Sequence, residues 1–107
     1  KHRCADLLVL VEQMRAAAWD AARSGATSED GRLAVAAATA IGLDGAVKAA
    51  EDCIQILGGI GFTWEHDAHI YLRRALSVRQ LFGPASSFTA RRASSHIASV
   101  EKSAWSP

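Results

Sequence analysis

The sequence is short of the residues that make and join strands. Its 107 residues hold two prolines, three phenylalanines and one tyrosine, too few for an all-β domain with its many turns and aromatic strand positions. Cysteine is scarce too. Cys4 and Cys53 are far apart, so a disulfide framework is not indicated. Each falls in an apolar helical pattern, where a free cysteine is expected to act as a small buried hydrophobe. A reducing cytoplasm is the compartment that such usage fits. An excess of charge of one sign is also lacking: 12 Lys and Arg against 11 Asp and Glu leave a net charge of +1. That removes the electrostatic case for nucleic acid as a partner. The apolar runs are interrupted before the roughly 20 residues a membrane span needs, so no membrane span is expected. No signal-peptide pattern is visible at the opening Lys1-His2-Arg3-Cys4. There is no initiating methionine, and a helical pattern is under way from the first residue. The expectation is a piece of something longer.

What is present is 50% hydrophobic and rich in alanine, enough to bury a modest core in one all-α domain over residues 1–107. Cys4, Leu7, Val11, Met14, Ala18 and Ala21 recur at spacings of three and four, which predicts one face of a helix over Lys1–Ser24 closed by Gly25. Thr27 is the expected cap of the next helix, with Asp30 three residues on. Leu33, Ala37, Ala40, Leu43, Val47, Ala50, Ile54 and Leu57 keep the same rhythm and predict a long central helix. Asp44, Lys48 and Asp52 form a second stripe on it, a solvated face with pairing at i, i+4. Gly58-Gly59 ends that helix. A shorter one is expected over Glu65–Ser77, and a last one over Pro84–Lys102 burying Phe88, Ala93, Ile97 and Val100.

Few of the polar patterns carry chemistry by themselves. Gly59-Ile60-Gly61 has the first two glycines of a dinucleotide-binding fingerprint, but these glycines close a helix instead of opening one, and Trp64 stands where the third glycine belongs. His66 and His69 lie one helical turn apart in Glu65-His66-Asp67-Ala68-His69, without the third and fourth ligands that a metal needs. No metal site is therefore expected. Arg73-Arg74 and Arg91-Arg92 could meet phosphate, and ordinary ion pairing is the favoured reading at this net charge. The glycine-aromatic corner after the central helix remains the unusual feature.

That corner, Ile54-Gln55-Ile56-Leu57-Gly58-Gly59-Ile60-Gly61-Phe62-Thr63-Trp64-Glu65-His66, closely resembles the C-terminal helical domain of acyl-CoA dehydrogenases. Tyr71-Leu72-Arg73-Arg74-Ala75 continues the match, and Lys1-His2-Arg3-Cys4-Ala5-Asp6 looks like the middle of an earlier helix of that domain. Gln-x-x-Gly-Gly-x-Gly-Phe is the specific part. Thr-Trp-Glu-His is similar to a bacterial branch that includes enzymes acting on bulky acyl-CoA esters such as steroid side chains.

The resemblance implies a helical bundle lacking its first helix, cut from an oligomeric flavoprotein subunit, homo- or hetero-oligomeric as a dimer or tetramer. Such a protein takes an acyl-CoA substrate, FAD as cofactor and an electron-transfer acceptor. In the family a glutamate removes the α-proton while the β-hydrogen leaves as hydride to FAD. The positions matching Gln55, Gly58 and Gly59 touch the adenosine-diphosphate end of FAD held mainly by a neighbouring subunit. The base is a departure. Many members carry Tyr-Glu-Gly-Thr where this chain reads Phe82-Gly83-Pro84-Ala85, so Gly83 stands in the glutamate's place with no proton-accepting side chain. Two readings stay open: part of a catalytic subunit whose base lies elsewhere, or a non-catalytic partner or structural bundle.

Overall fold

The computed structural model describes residues 1–83, 97, 98 and 100–104. Among them are α1 (His2–Ser24), α2 (Glu29–Leu57), a 3-10 turn (Gly58–Phe62) and α3 (Ala68–Phe82), and no strand. Residues 97, 98 and 100–104 are helical too. Most of the helix expected over Pro84–Lys102, with Phe88 and Ala93, lies outside the described residues. Ile97 and Val100, expected to be buried on it, are exposed.

α2 organises the fold. Its start is set by Ser28, whose Oγ accepts from the Gly31 N–H at 2.9 Å and donates back toward the end of α1, to the Ser24 and Gly25 carbonyls. Thr27 was the expected cap. Ser28 takes the role because its backbone is extended while Glu29 is already helical, the geometry a capping hydroxyl requires. Glu29 and Asp30 then place their charges at the positive end of the dipole.

α1 and α3 each pack on α2, and their Cα atoms nowhere come within 8 Å of each other. α1 fits closely because Gly45 has no side chain: a Cβ there would sit 2.7 Å from Met14 Sδ. Leu7, Leu10, Met14, Ala17 and Ala21 are its half-buried apolar residues. The expected face is thus right for Leu7, Met14 and Ala21, whereas Cys4, Val11 and Ala18 are exposed. Cys53 is exposed as well, so both thiols are free surface groups and not the buried hydrophobes expected.

α3 is tied to α2 by Arg79 Nε and Asp44 Oδ1 at 3.0 Å, while Lys48 pairs with Asp52 along α2 at the same distance. The expected stripe therefore divides, with one carboxylate used between helices. α3 begins at Ala68, later than the expected Glu65, because Thr63–His66 are held in turns: Thr63 Oγ1 donates to the Ile60 carbonyl at 2.8 Å and the His66 N–H to the Thr63 carbonyl at 3.4 Å. It continues past the expected Ser77 to Phe82 and stops at Gly83, whose φ of 81° breaks the helix.

The core is thin. Ala36, Leu43, Val47, Ile54 and Ala68 are its buried apolar residues, and Leu33 and Ala37, expected to join them on α2, are exposed. Between α1 and α3 a groove of about 480 Å³ runs over Gly42, Ala46 and Ala49 of α2, walled by Val11 and Tyr71. A second opening of about 400 Å³ continues it past Val78 to Phe82. By length and composition, Glu29–Phe62 is apolar enough to cross a membrane, with mean hydropathy 1.4 over its best window, contrary to the expectation that no stretch would be. A core helix floored with alanine meets the same measure, and α2 is the helix on which both neighbours pack.

Candidate functional site

The glycine corner is built by the way α2 ends. Gly58 adopts φ 65°, ψ −136°, and its N–H turns back to the Ile54 and Gln55 carbonyls, which the helix end would otherwise leave unpaired. A side chain at that φ would be strained. The chain then tightens into the 3-10 turn, where Gly61 is buried against the last turn of α2. A Cβ on Gly61 would lie 2.6 Å from the Ile54 carbonyl oxygen and 3.1 Å from Leu57 Cβ. Gly59 differs from both. It has no positive φ, and a Cβ there would meet nothing within 4 Å. Nothing in the fold of the described residues requires glycine at 59, and the space beside it is open.

Gln55 lies one turn before the corner and is exposed. Its carbonyl accepts from Gly58, while its side-chain amide is free of hydrogen bonds among the described residues. An exposed, uncommitted amide beside open backbone is an arrangement that can receive a polar ligand. Gln55, Gly58 and Gly59 are thus brought together at one helix end. Gly83 is elsewhere, at the far end of α3, and Pro84 beyond it lies outside the described residues.

On the other side of the turn a cluster forms that the sequence reading did not assemble. The Trp64 ring meets His69 edge-on, with centroids 4.9 Å apart, and the Arg73 guanidinium lies 5.2 Å over the indole. Trp64 is nonetheless 76% exposed, and Ile60 and Phe62 are exposed with it. The i, i+4 spacing of His69 and Arg73 was the available signal, once α3 is started at Ala68. His66 Nδ1 accepts from the Ala68 N–H at 3.2 Å, and His69 Nδ1 donates to the His66 carbonyl at 2.7 Å. Both imidazoles are used in shaping the chain. No three ligand-type side chains gather among the described residues. Arg74 stands at the wall of the apolar groove, and Arg91-Arg92 lie outside the described residues.

Comparison with known proteins agrees with this architecture. The family described as acyl-CoA dehydrogenase, C-terminal domain, matches residues 1–92. The chain is 55% identical over 85 residues to acyl-CoA dehydrogenase FadE34 of Mycobacterium tuberculosis, covering 78% of this chain and 12% of that protein. It is 40% identical over 81 residues to acyl-CoA dehydrogenase IpdE2 of the same organism, covering 76% of this chain and 24% of the relative. IpdE2 of Mycolicibacterium smegmatis is 43% identical over 84 residues, covering 78% and 25%. The chain therefore spans at most a quarter of the length of these relatives. No solved structure matches it.

Proposed function

The chain belongs to the acyl-CoA dehydrogenase family through its C-terminal domain, and from that premise we propose that its parent protein is a cytoplasmic, FAD-dependent enzyme that dehydrogenates an acyl-CoA thioester between the α and β carbons. This domain contributes bundle scaffold, a subunit interface and contacts to FAD. The observation that carries the reading is the end of α2, where an uncommitted Gln55 amide stands beside Gly59, a glycine with open space on its side and no demand for it from the fold. Gln55 would hydrogen-bond the flavin's polar nucleotide end, and Gly58 and Gly59 would let that end approach the backbone. When bound, FAD supplies the hydride acceptor. The exposed Ile60, Phe62 and Trp64 and the open groove are apolar surfaces suited to cover by other domains or a second subunit of a homo- or hetero-oligomer. Electrons would pass on to a separate acceptor.

None of the described residues is assigned the base. Gly83 has no proton-accepting group, and at φ 81° a glutamate placed there would be strained. The reading therefore takes the carboxylate from outside this chain. The same glycine favours a second reading, a non-catalytic partner subunit that keeps the fold and the interface.

Two measurements on the full-length protein test the proposal. Gln55→Ala should weaken FAD binding several-fold, as expected for a neutral hydrogen bond of about 1 kcal/mol. Unchanged affinity removes Gln55 from the site. Anaerobic bleaching of the flavin by acyl-CoA should occur and should vanish when one glutamate outside these residues is replaced. Full bleaching after every such replacement, in the protein and any partner subunit, overturns the external base. No bleaching at all favours the silent-subunit reading.

A further inference from the structure

We propose that His66 is a proton-sensitive cap on α3, one that holds the first N–H of the helix when neutral and releases it when protonated. The inference is independent of the flavin reading.

The geometry assigns the two imidazoles opposite tautomers. His66 Nδ1 accepts from the Ala68 N–H at 3.2 Å, so that nitrogen carries no proton. His69 Nδ1 faces the His66 carbonyl at 2.7 Å, so there the nitrogen is the donor. One residue thus receives a bond on its ring and another on its carbonyl, both from the first turn of α3. Helix starts leave N–H groups without partners. Asp67, the capping residue by position, makes no side-chain bond to them and has helical rather than extended backbone. The Ile70 N–H is satisfied by the Asp67 carbonyl at 3.0 Å. The Ala68 N–H depends on His66, and Ala68 is only 5% exposed, so water is a poor substitute.

A proton on His66 Nδ1 converts the acceptor into a donor that faces another donor. It also brings positive charge to the positive end of a helix dipole. Protonating His69 also adds charge at that helix end but breaks no bond, because its second proton goes to Nε2 and the bond to the His66 carbonyl survives. The two histidines therefore differ in consequence, although they lie one helical turn apart. The charged groups around them are Glu65 and Asp67, which flank His66 in sequence, and Arg73, which lies over Trp64. From α2, whose end lies toward the start of α3, the ionisable groups are Glu51, Asp52 and Cys53. Asp52 is engaged by Lys48, and Glu51 and Cys53 are exposed. The helix turn that His66 caps carries His69, whose ring meets Trp64 edge-on beside the Arg73 guanidinium.

Site-resolved hydrogen exchange on the full-length protein tests this, with each rate corrected for the intrinsic pH dependence of exchange. Between pH 8 and pH 5, the range in which histidines take up their protons, protection of the Ala68 amide should fall about fivefold or more, the effect of losing one hydrogen bond. His66→Asn, whose side-chain oxygen accepts at every pH, should keep protection flat across the range. His66→Ala should show the low value at both ends. His69→Gln should retain the wild-type pH dependence. A pH-independent wild type, or a His66→Asn protein that loses protection as the wild type does, overturns the proposal.

Discussion

Alanine at Gly61 and alanine at Gly59 should have opposite consequences, although the residues are two apart in one turn. At Gly61 the new methyl would stand 2.6 Å from the Ile54 carbonyl oxygen and 3.2 Å from Ile54 Cα. Those are backbone atoms of α2 and cannot rotate aside. Relief requires the turn to lift off the helix, an overpacking change that typically costs about 1–3 kcal/mol. The same Ile54 carbonyl accepts from Gly58, so lifting the turn also threatens a bond worth about 1 kcal/mol. At Gly59 the methyl meets nothing within 4 Å and no positive φ opposes it. Stability should then change by no more than about 0.5 kcal/mol. The assay is thermal unfolding of the full-length apoprotein, where about 2–4 °C of melting temperature corresponds to each kcal/mol for domains of 150–250 residues. Gly61→Ala should lower the midpoint by several degrees and Gly59→Ala should leave it in place. FAD titration should show the reverse emphasis, with Gly59→Ala weakening binding without any loss of fold. Equal melting temperatures for the two variants would refute the reasoning about the turn. An unchanged FAD affinity in Gly59→Ala would mean that the open space beside it is not ligand space.

Ser28→Ala should destabilise the chain by about 1 kcal/mol, read as a lower melting temperature, because the Gly31 N–H loses its 2.9 Å acceptor. Asp44→Asn should cost less than about 1 kcal/mol, since the Arg79 pair is roughly half exposed on both sides, and the cost should shrink further in high salt. The 107-residue chain produced alone should self-associate in sedimentation experiments, driven by its open groove and the exposed Phe62 and Trp64. A compact, stable monomer at low concentration would count against the unpartnered surfaces.

The all-α class and the order of the elements were legible because period three-and-four spacing and the stop at Gly58-Gly59 are local signals. Leu43, Val47 and Ile54 are buried as their spacing predicts. Leu33 and Ala37 carry the same spacing and are exposed, because periodicity identifies a face and only a neighbour buries it. The exposed Cys4 and Cys53 share that cause. Thr27 and Ser28 are chemically near-equivalent caps, and the sequence cannot rank them until the backbone places one in the extended conformation. At the site, the corner stood out through its glycines. Their division of labour was hidden: φ at Gly58, close packing at Gly61 and open space at Gly59 are facts about three-dimensional neighbours. The Trp64–His69–Arg73 cluster was missed because Trp64 reaches the first turns of α3 through the non-helical turns at Thr63–His66, which leave no periodic signal.

Both outer helices rest on α2 and not on each other, which sets a hierarchy of opening. α1 or α3 can peel away while the other stays docked, since no shared seam links them. α2 cannot loosen without releasing both. Amide protection should therefore be graded, greatest along the middle of α2 around Leu43 and Val47 and lower in the flanking helices, which would exchange as two separate cooperative units. A disturbance at one flank reaches the other only as a bend or slide of the central helix, so α2 acts as the keel through which the two sides of this domain communicate.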